Sequence, residues 1–575
     1  MSIFFLIKIM VFFLLNESKL IIKNINFFKL FLLQNNYYKY LVYKEINHNI
    51  LKDQKKIKIL DKNLKFFKKN FDYQTSSDQI LITSLLNSKL YSINNIVLGM
   101  NLSKILNKRP VALIKKKDFG AEIFMRSFGI KKFYYLNNEN IFSRLKYLCL
   151  TISLLKNINN ITDLLKFKYK NVYFGKIVYD HYLRFNRVGT IKILNPKFYF
   201  FLSQSLMIYD QTKKILTDTK TKDIVQTENQ FIPSAVVFQT ALLNNCKVYC
   251  KVGTSNKISA RIYKNFSEVY KNRHRFSSSL FNLVLKNNKT FAIKNGETII
   301  QNRLLNKKGF GVDQERSIDF IKDPTQKNIT NYTKEDLCIK YKWEINKPIV
   351  MIFSNDLIDG VFTNSWNLYI DRLTWLRSTL NFIKTVEDIN WIIKPHPNDI
   401  KNKVKTSTEL EVKKYYSDFN HIKLFPHGYG IEPLPKIIKC AISAQGSVGY
   451  EYPALGVPSI ICGESLSSGH GISIEPKNEV EYFKYLKNAD KIGDVSLDQQ
   501  NRAKIFIYIY SVLSKVRSPL IPNSHNTNFK YENFLFEYEK LIDNYNTKSD
   551  DLYNNLKKQI ALQERHTINY NLLDQ

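Results

Sequence analysis

The sequence lacks most of the patterns that assign a chain quickly. Its six cysteines, Cys149, Cys246, Cys250, Cys338, Cys440 and Cys462, include no CxxC pair, and the nine histidines do not cluster with them. This argues against a disulfide framework or a structural zinc site, and it fits a reducing compartment. There is no zinc-finger spacing, RNA-recognition signature or helix-turn-helix, which weakens a nucleic-acid reading of the charge. The most apolar stretch, residues 3–15 (IFFLIKIMVFFLL), is interrupted by Lys8 and falls short of the roughly 20 residues a membrane-spanning helix needs. Asn16-Glu17-Ser18-Lys19 follows it in place of a small-residue cleavage site, so a signal peptide fits poorly.

What is present in abundance is basic and aromatic. The 575 residues carry 86 Lys and Arg against 50 Asp and Glu, a net charge of +36. Such a balance suits nucleic acid, an anionic membrane surface or negatively charged substrates. Lys, Asn, Ile, Phe and Tyr are enriched throughout, however, so an overall compositional bias accounts for much of it. A hydrophobic content of 44% is ample for buried cores, and the length implies two to four domains.

Residues 1–75 read as a basic and apolar N-terminal extension. Within it, Leu20, Ile21, Ile22, Ile25, Phe27, Phe28, Leu30 and Phe31 are interspersed with lysines, as in an interfacial amphipathic segment or a core helix. Residues 52–69 carry Lys52, Lys55, Lys56, Lys58, Lys62, Lys65, Lys68 and Lys69 among apolar positions; a solvated helix face or contact with acidic lipid explains them.

From residue 76 the pattern becomes globular. Pro110–Ile114 reads as a buried strand, Phe128–Phe133 as a turn into another, Ala235–Leu243 as a helix and Cys246–Cys250 as the strand after it. Strands alternating with helices predict an α/β domain with a mainly parallel sheet over 76–253. Inside it, Asp180 and Arg184 stand at i, i+4 spacing as a surface ion pair would, and Asp180 or His181 could equally take a proton from an acceptor. Residues 254–340 are polar, rich in Asn and Lys, and read as a linker.

A second α/β domain is expected over 341–505, followed by a C-terminal helical segment over 506–575. Pro348–Phe353 reads as its first strand and ends at Ser354-Asn355-Asp356, where the open end of a parallel sheet would bind ligand. Leu368–Val386 reads as a helix, Asn390–Lys394 and Ile422–Phe425 as strands, and Glu479–Leu486 as a helix. The second strand runs into Pro395-His396-Pro397. A histidine between two prolines, beyond a strand's carboxyl end, could hydrogen-bond a phosphate or protonate a leaving phosphate oxygen. Cys440 to Gly463, CAISAQGSVGYEYPALGVPSIICG, reads as strand, glycine turn, short helix, turn and strand. A helix starting near Gly446-Ser447 would aim free N–H groups at an anion. Glu451 shares a helix face with Ser447 and could accept two hydrogen bonds from a nucleotide ribose, or simply be solvated.

Trp391-Ile392-Ile393-Lys394-Pro395-His396-Pro397, together with Gly446-Ser447-Val448-Gly449-Tyr450-Glu451-Tyr452-Pro453-Ala454-Leu455-Gly456-Val457-Pro458, resembles the capsule and surface polysaccharide biosynthesis proteins. These are bacterial GT-B-type glycosyltransferases, and the His-Pro element is shared with sialic-acid and Kdo transferases. Tyr179-Asp180 and Tyr182-Leu183-Arg184 resemble the same family. The resemblance covers about residues 341–490, is thinner over 96–250, and is absent from the first 75 and last 70 residues. It implies a GT-B-like α/β fold, two Rossmann-like domains facing a central cleft, and transfer of a sugar from a nucleotide-activated donor to a growing surface glycan. His396 would contact the donor phosphate, Gly446 and Ser447 would hold it with their amides, and Glu451 would take the ribose. Lys394 and Asn355 would line the same donor site. The general base is expected among acidic residues of the first half; no Asp-Asp-Gly motif stands there, and Asp180 is the candidate by position. No metal and no cofactor beyond the donor substrate is expected. The implied partners are a nucleotide sugar, a lipid-linked or polymeric glycan acceptor and an inner-membrane surface, without nucleic acid. A cytoplasmic protein, peripheral on the inner membrane, fits these. A polyol-phosphate transferase of teichoic-acid type, and a non-catalytic basic membrane-associated scaffold with a GT-B core, remain as alternatives.

Overall fold

The computed structural model describes residues 6–15, 54–71, 77–86, 89–116, 118–136, 140–156, 158, 160–191, 195–251, 257–270, 275–304, 329–362, 367–521, 539–545 and 550–573. The chain divides into two compact units. The first comprises Met1–Tyr182, Lys192–Phe266 and Lys515–Ile568, and the second Leu183–Ile191, Ser267–Ser514 and Asn569–Gln575.

The first unit is built on a six-stranded sheet. Its strands are β1 (Gln79–Ser84), β2 (Arg109–Lys115), β3 (Phe133–Leu136), β4 (Asp223–Gln226), β5 (Lys247–Lys251) and β7 (Ala260–Tyr263), in the order β3-β2-β1-β4-β5-β7. All neighbours are parallel except β7, which runs antiparallel to β5. Strands buried on both faces need apolar side chains in both directions, and β1 and β2 supply them with Ile80, Leu81, Ile82, Val111, Ala112, Leu113 and Ile114, all fully buried. The short β6 (Lys257–Ile258) pairs separately with a strand from the end of the chain, Val516–Arg517.

The second unit repeats the plan with β8 (Ile349–Phe353), β9 (Asn390–Lys394), β10 (Ile422–Leu424), β11 (Cys440–Ser443) and β12 (Ser459–Ile461), in the order β10-β9-β8-β11-β12 and parallel throughout. Alternate residues feed two cores. Val350, Ile352, Trp391, Ile393 and Ile442 pack with the helix Arg372–Ile383, whereas Ile349, Met351, Ile392 and Ala441 face Leu337, Leu434 and Val457. The two Rossmann-like α/β units expected from the alternating pattern are therefore both present, each with its first and fourth strands adjacent.

The segment boundaries differ from those read in the sequence. The stretch 254–340, expected as a polar linker, contributes β6 and β7 to the first unit and the helices Ser278–Asn287 and Lys289–Leu304 to the second. These helices are polar because only one narrow face is buried: Leu280, Phe281 and Val284 in one, Ala292, Gly296, Ile299 and Ile300 in the other. Residues 506–575 are not a separate helical segment either. Lys515–Ile568 belongs to the first unit, with the helix Asp551–Ala561 placing Leu552 and Leu556 in its core. Strands β1 and β4, six and four residues long, had no counterpart in the sequence reading.

The N-terminal stretch is only partly an extension. The helix Gln54–Asn70 puts Ile59 and Phe67 into the first core, with Phe67 4.5 Å from Phe128 between ring centres. Its Lys58, Lys65, Lys68 and Lys69 are exposed, as a solvated face requires, and Lys62 pairs with Asp543 at 2.8 Å. Residues 6–15 are helical, with Ile9 and Phe13 buried. No described helix is long and apolar enough to cross a membrane. The amphipathic reading of residues 20–31 lies outside the described residues.

Gly296 allows the helix Lys289–Leu304 to lie directly on the helix Leu497–Tyr508: a Cβ there would stand 1.9 Å from the Lys504 carbonyl oxygen. Gly296→Ala is expected to lower stability by about 1–3 kcal/mol through overpacking. Gly493→Ala, whose Cβ would meet nothing within 4 Å, should be close to neutral. Urea unfolding of the two variants beside wild type checks the pair.

Candidate functional site

In an open parallel sheet, ligands bind beyond the carboxyl ends of the strands, where adjacent connections leave in opposite directions. In the second unit that point lies between β8 and β11. The loop after β8 is Ser354-Asn355-Asp356, and the loop after β11 is Ala444-Gln445-Gly446-Ser447. The two are stitched together. Asn355 Nδ2 donates to the Gln445 carbonyl at 2.7 Å, and Asn355 Oδ1 accepts from the Gln445 amide at 3.2 Å and from Ser443 Oγ at 3.1 Å. The buried Arg372 adds Nη2 to Gln445 Oε1 at 3.2 Å and Nη1 to the carbonyl oxygens of Asp356 and Asp359 at 2.6 and 2.7 Å. Asn355, expected to line a donor site, thus has both ends of its amide engaged within the scaffold.

Beyond the clamp the loop is open. Gly446 adopts φ +105°, a conformation that disfavours any side chain, and this turns the chain into the short helix Val448–Ala454. The helix starts one residue later than expected, and Ser447 makes no side-chain capping bond. The amides of Gly446 and Ser447 donate to no group among the described residues.

On the other side of β8, β9 delivers Lys394 and His396. His396 caps the five-residue helix Pro397–Lys401, with its Nδ1 accepting from the Asn398 amide at 3.2 Å. An accepting Nδ1 is unprotonated, so in the neutral ring the proton sits on Nε2, which makes no hydrogen bond among the described residues. Burial pulls the imidazole down to about 4; the Asp356 carboxylate opposes the shift, while Lys394 and Arg372 add to it. Burial likewise lowers the half-buried Lys394, whose ammonium has no ion-pair or hydrogen-bond partner among the described residues. Lys394, His396, Gly446 and Ser447 therefore gather at one sheet edge and present donors without acceptors. That is the chemistry of an anion site.

Asp356 is the acidic counterweight. Its Oδ2 accepts from Asn398 Nδ2 at 2.9 Å and Asn402 Nδ2 at 3.2 Å, and lies 3.7 Å from Arg184 Nη1. The sequence reading paired Arg184 with Asp180; the structure adds this ion pair to Asp356, more than 170 residues further along the chain. Asp356 and Arg372 were not singled out as site residues, although Asp356 stands in the tripeptide marked as a strand end. Glu451 is nearly buried, and its Oε1 is 2.5 Å from Arg303 Nη1, at the end of the helix Lys289–Leu304. A ribose would have to share or replace that contact. Arg303 lies in the segment read as linker, so no local pattern joined it to Glu451.

Asp180 is placed apart from these residues in the chain's division. It belongs to the first unit, buried on the helix Phe174–Asn186. Next to it, His181 Nδ1 accepts from the Ile232 amide at 3.3 Å, and burial pulls that imidazole down to about 4. Among the described residues no group of three or more His, Cys, Asp or Glu is placed to hold a metal ion.

The state of His396 is measurable. A histidine whose folded value lies near 4 instead of 6.5 stays neutral at pH 7, and the stability it contributes is present above pH 6.5 and lost as pH falls toward 4. Nitrogen-15 spectra of ring-labelled protein should show a neutral Nε2–H tautomer at pH 7, and the His396→Asn variant should lose less stability than wild type between pH 6.5 and 4.

No family model matches the chain, and no curated protein matches it. Several solved structures are similar in fold. A glycosyltransferase from Rickettsia africae ESF-5 aligns over 82% of this chain and 100% of its own, at 13% identity and a TM-score of 0.25. KpsC of Thermosulfurimonas dismutans, a beta Kdo 2,4 transferase, aligns over 55% of this chain and 87% of its own, at 10% identity and a TM-score of 0.31. A UDP-GlcNAc 2-epimerase from Neisseria meningitidis, bound to UDP-GlcNAc, aligns over 75% and 98%, at 12% identity and a TM-score of 0.21. The chain is similar to these proteins at this loose level, and its fold rests on its own strand order.

Proposed function

We propose that the protein is a glycosyltransferase that moves a sugar from a nucleotide-activated donor to a growing capsular or other surface polysaccharide. The observation that carries this reading is the set of partnerless donors at the carboxyl edge of the second sheet: Lys394, the Nε2–H of His396 and the amides of Gly446 and Ser447. A nucleotide diphosphate or monophosphate is the ligand whose charge and oxygen count suit them.

In this reading Lys394 supplies the full positive charge and the loop amides orient the phosphate. His396 acts as a neutral hydrogen-bond donor to the departing phosphate oxygen. It is not the acid that protonates it, because a neutral imidazole holds its remaining proton far too tightly to release it to a phosphate. Charge building on that oxygen in the transition state strengthens these contacts, which is how such a set accelerates bond cleavage. The donors here supply the positive potential that a metal ion gives elsewhere, so a metal-independent reaction is the simplest form of the proposal. Glu451 takes the ribose diol once Arg303 yields its carboxylate, and Asp180 is the proposed base toward a glycan acceptor. A peripheral position on the cytoplasmic membrane face would suit a lipid-linked acceptor.

A thermal-shift panel with CMP, CDP, UDP and GDP tests the donor half. One nucleotide is expected to raise the melting temperature, since a ligand present at a hundred times its dissociation constant adds about 2.7 kcal/mol. The shift should vanish in Lys394→Ala and His396→Ala, both still folded by circular dichroism, and shrink in Glu451→Ala. A CDP response with glycerol-phosphate turnover would favour the polyol-phosphate reaction. Absence of any shift in wild type would overturn the reading.

A further inference from the structure

We propose that Arg303 selects ligands that carry a phosphate together with a ribose diol, by holding the Glu451 carboxylate until a second anion arrives to replace it. The inference rests on the donor-site reading above, and it gives a role to a residue outside that site's loops. Arg303 continues the buried stripe of the helix Lys289–Leu304, at i+3 from Ile300 and i+7 from Gly296. Gly296 seats this helix directly against the Lys504 carbonyl, and Glu297 Oε2 accepts from Lys504 Nζ at 2.9 Å. The guanidinium is therefore delivered by an anchored element. It stands in the last turn, where the helix dipole favours a cation.

Glu451 has two claimants. Its side chain is 12% exposed and that of Arg303 28%, with Arg303 Nη1 2.5 Å from Glu451 Oε1. Beside them, the buried Tyr452 ring lies 4.8 Å from Phe353 between centres. Burial and the Glu451 carboxylate push the Tyr452 phenol well up, and Arg303 opposes them. The pair thus borders an apolar core, where it is worth more than a pair in open water. A vicinal diol wants both carboxylate oxygens, because each hydroxyl donates to one. With Arg303 on Oε1, the diol must displace it. Taking Glu451 away leaves a partly buried cation without that carboxylate, and this opposes binding.

A phosphate removes the opposition. Ser447 and Glu451 are one helical turn apart, so the amide proposed to hold phosphate and the carboxylate proposed to hold ribose are about 6 Å apart along the helix axis. A 5′-nucleotide bridges that gap. The guanidinium that leaves Glu451 then meets the phosphate within the swing of its own side chain, as a charge-assisted contact. A nucleoside brings the diol without a replacement anion. Pyrophosphate brings an anion without competing for Glu451. Only a nucleotide does both.

Ligand-observed NMR titrations of the full chain test this. The probes are uridine, cytidine and guanosine, their 2′-deoxy forms, their 5′-monophosphates, and pyrophosphate. In Arg303→Gln, the nucleoside of the recognised base is expected to bind about three- to tenfold more tightly than in wild type, and its monophosphate more weakly by a similar factor. The 2′-deoxynucleoside, which lacks the diol, should not change, a contrast that a general loosening of the structure would not produce. Arg303→Lys keeps the charge on a different head group and should fall between wild type and Arg303→Gln. A nucleoside that binds equally or more weakly in Arg303→Gln overturns the proposal, and so does a 2′-deoxynucleoside that tightens as much as the nucleoside. If pyrophosphate binds wild type but not Lys394→Ala, while no monophosphate binds either Arg303 variant or wild type, the proposal falls and the anion site stands. If Lys394→Ala weakens neither pyrophosphate nor the monophosphates, the donor reading falls, and this proposal falls with it.

Discussion

The second unit's site depends on one reciprocal contact, the side chain of Asn355 against the backbone of Gln445. Parallel strands are held together along their length by their own ladder, but the loops that leave them are not. Asn355 extends the ladder past its end by imitating a backbone group, donating to one peptide and accepting from the same residue. With Arg372 fastened to both sides, the turn at Gly446 is fixed relative to β8, and the direction of its amides with it. Preorganised donors of this kind are effective because they need no rearrangement when charge appears beside them. The cost falls on Arg372, a buried guanidinium satisfied largely by neutral oxygens.

The two sheets show how little a topology commits its edge chemistry. They share a strand order, yet a lysine and a histidine stand at the end of β9 in one, while hydroxyls and amides gather at the ends of β1 and β4 in the other. The fold supplies converging strand ends, and the residues at those ends decide the ligand.

Much of this architecture was legible in the chain. Strands buried on both faces announce themselves as apolar runs, and Asn390–Lys394 and the strand around Ile349–Phe353 were read nearly to the residue. So was the gathering of Lys394, His396, Gly446 and Ser447 at one edge, because each follows a recognisable strand. The failures share a cause. Helices with a narrow buried face, such as Lys289–Leu304, look like linkers by composition, and short strands such as β4 carry no period. Long-range pairings were beyond reach as well. Nothing near Glu451 in sequence names Arg303, and nothing near Arg184 names Asp356. Asn355 and Asp356 looked alike as polar residues at a strand end, and only the coordinates separate the clamp from the hub of the side-chain network.

The antiparallel strand β7 borders the first sheet, and its far side is covered by residues from the end of the chain. The Ile262 amide donates to the Arg565 carbonyl at 2.9 Å, and the Thr567 amide donates to the Ala260 carbonyl at 2.9 Å. On a ribosome this edge emerges about three hundred residues before its cover, by the contact's spacing of 307 in sequence. At translation rates of about 5–20 residues per second, that leaves an unpaired strand waiting for tens of seconds. An uncovered edge is a template for any other extended chain. The long segment Ser267–Ser514 of the second unit is synthesised before Lys515–Ile568 completes the first, so the first unit is the one for which a chaperone would matter.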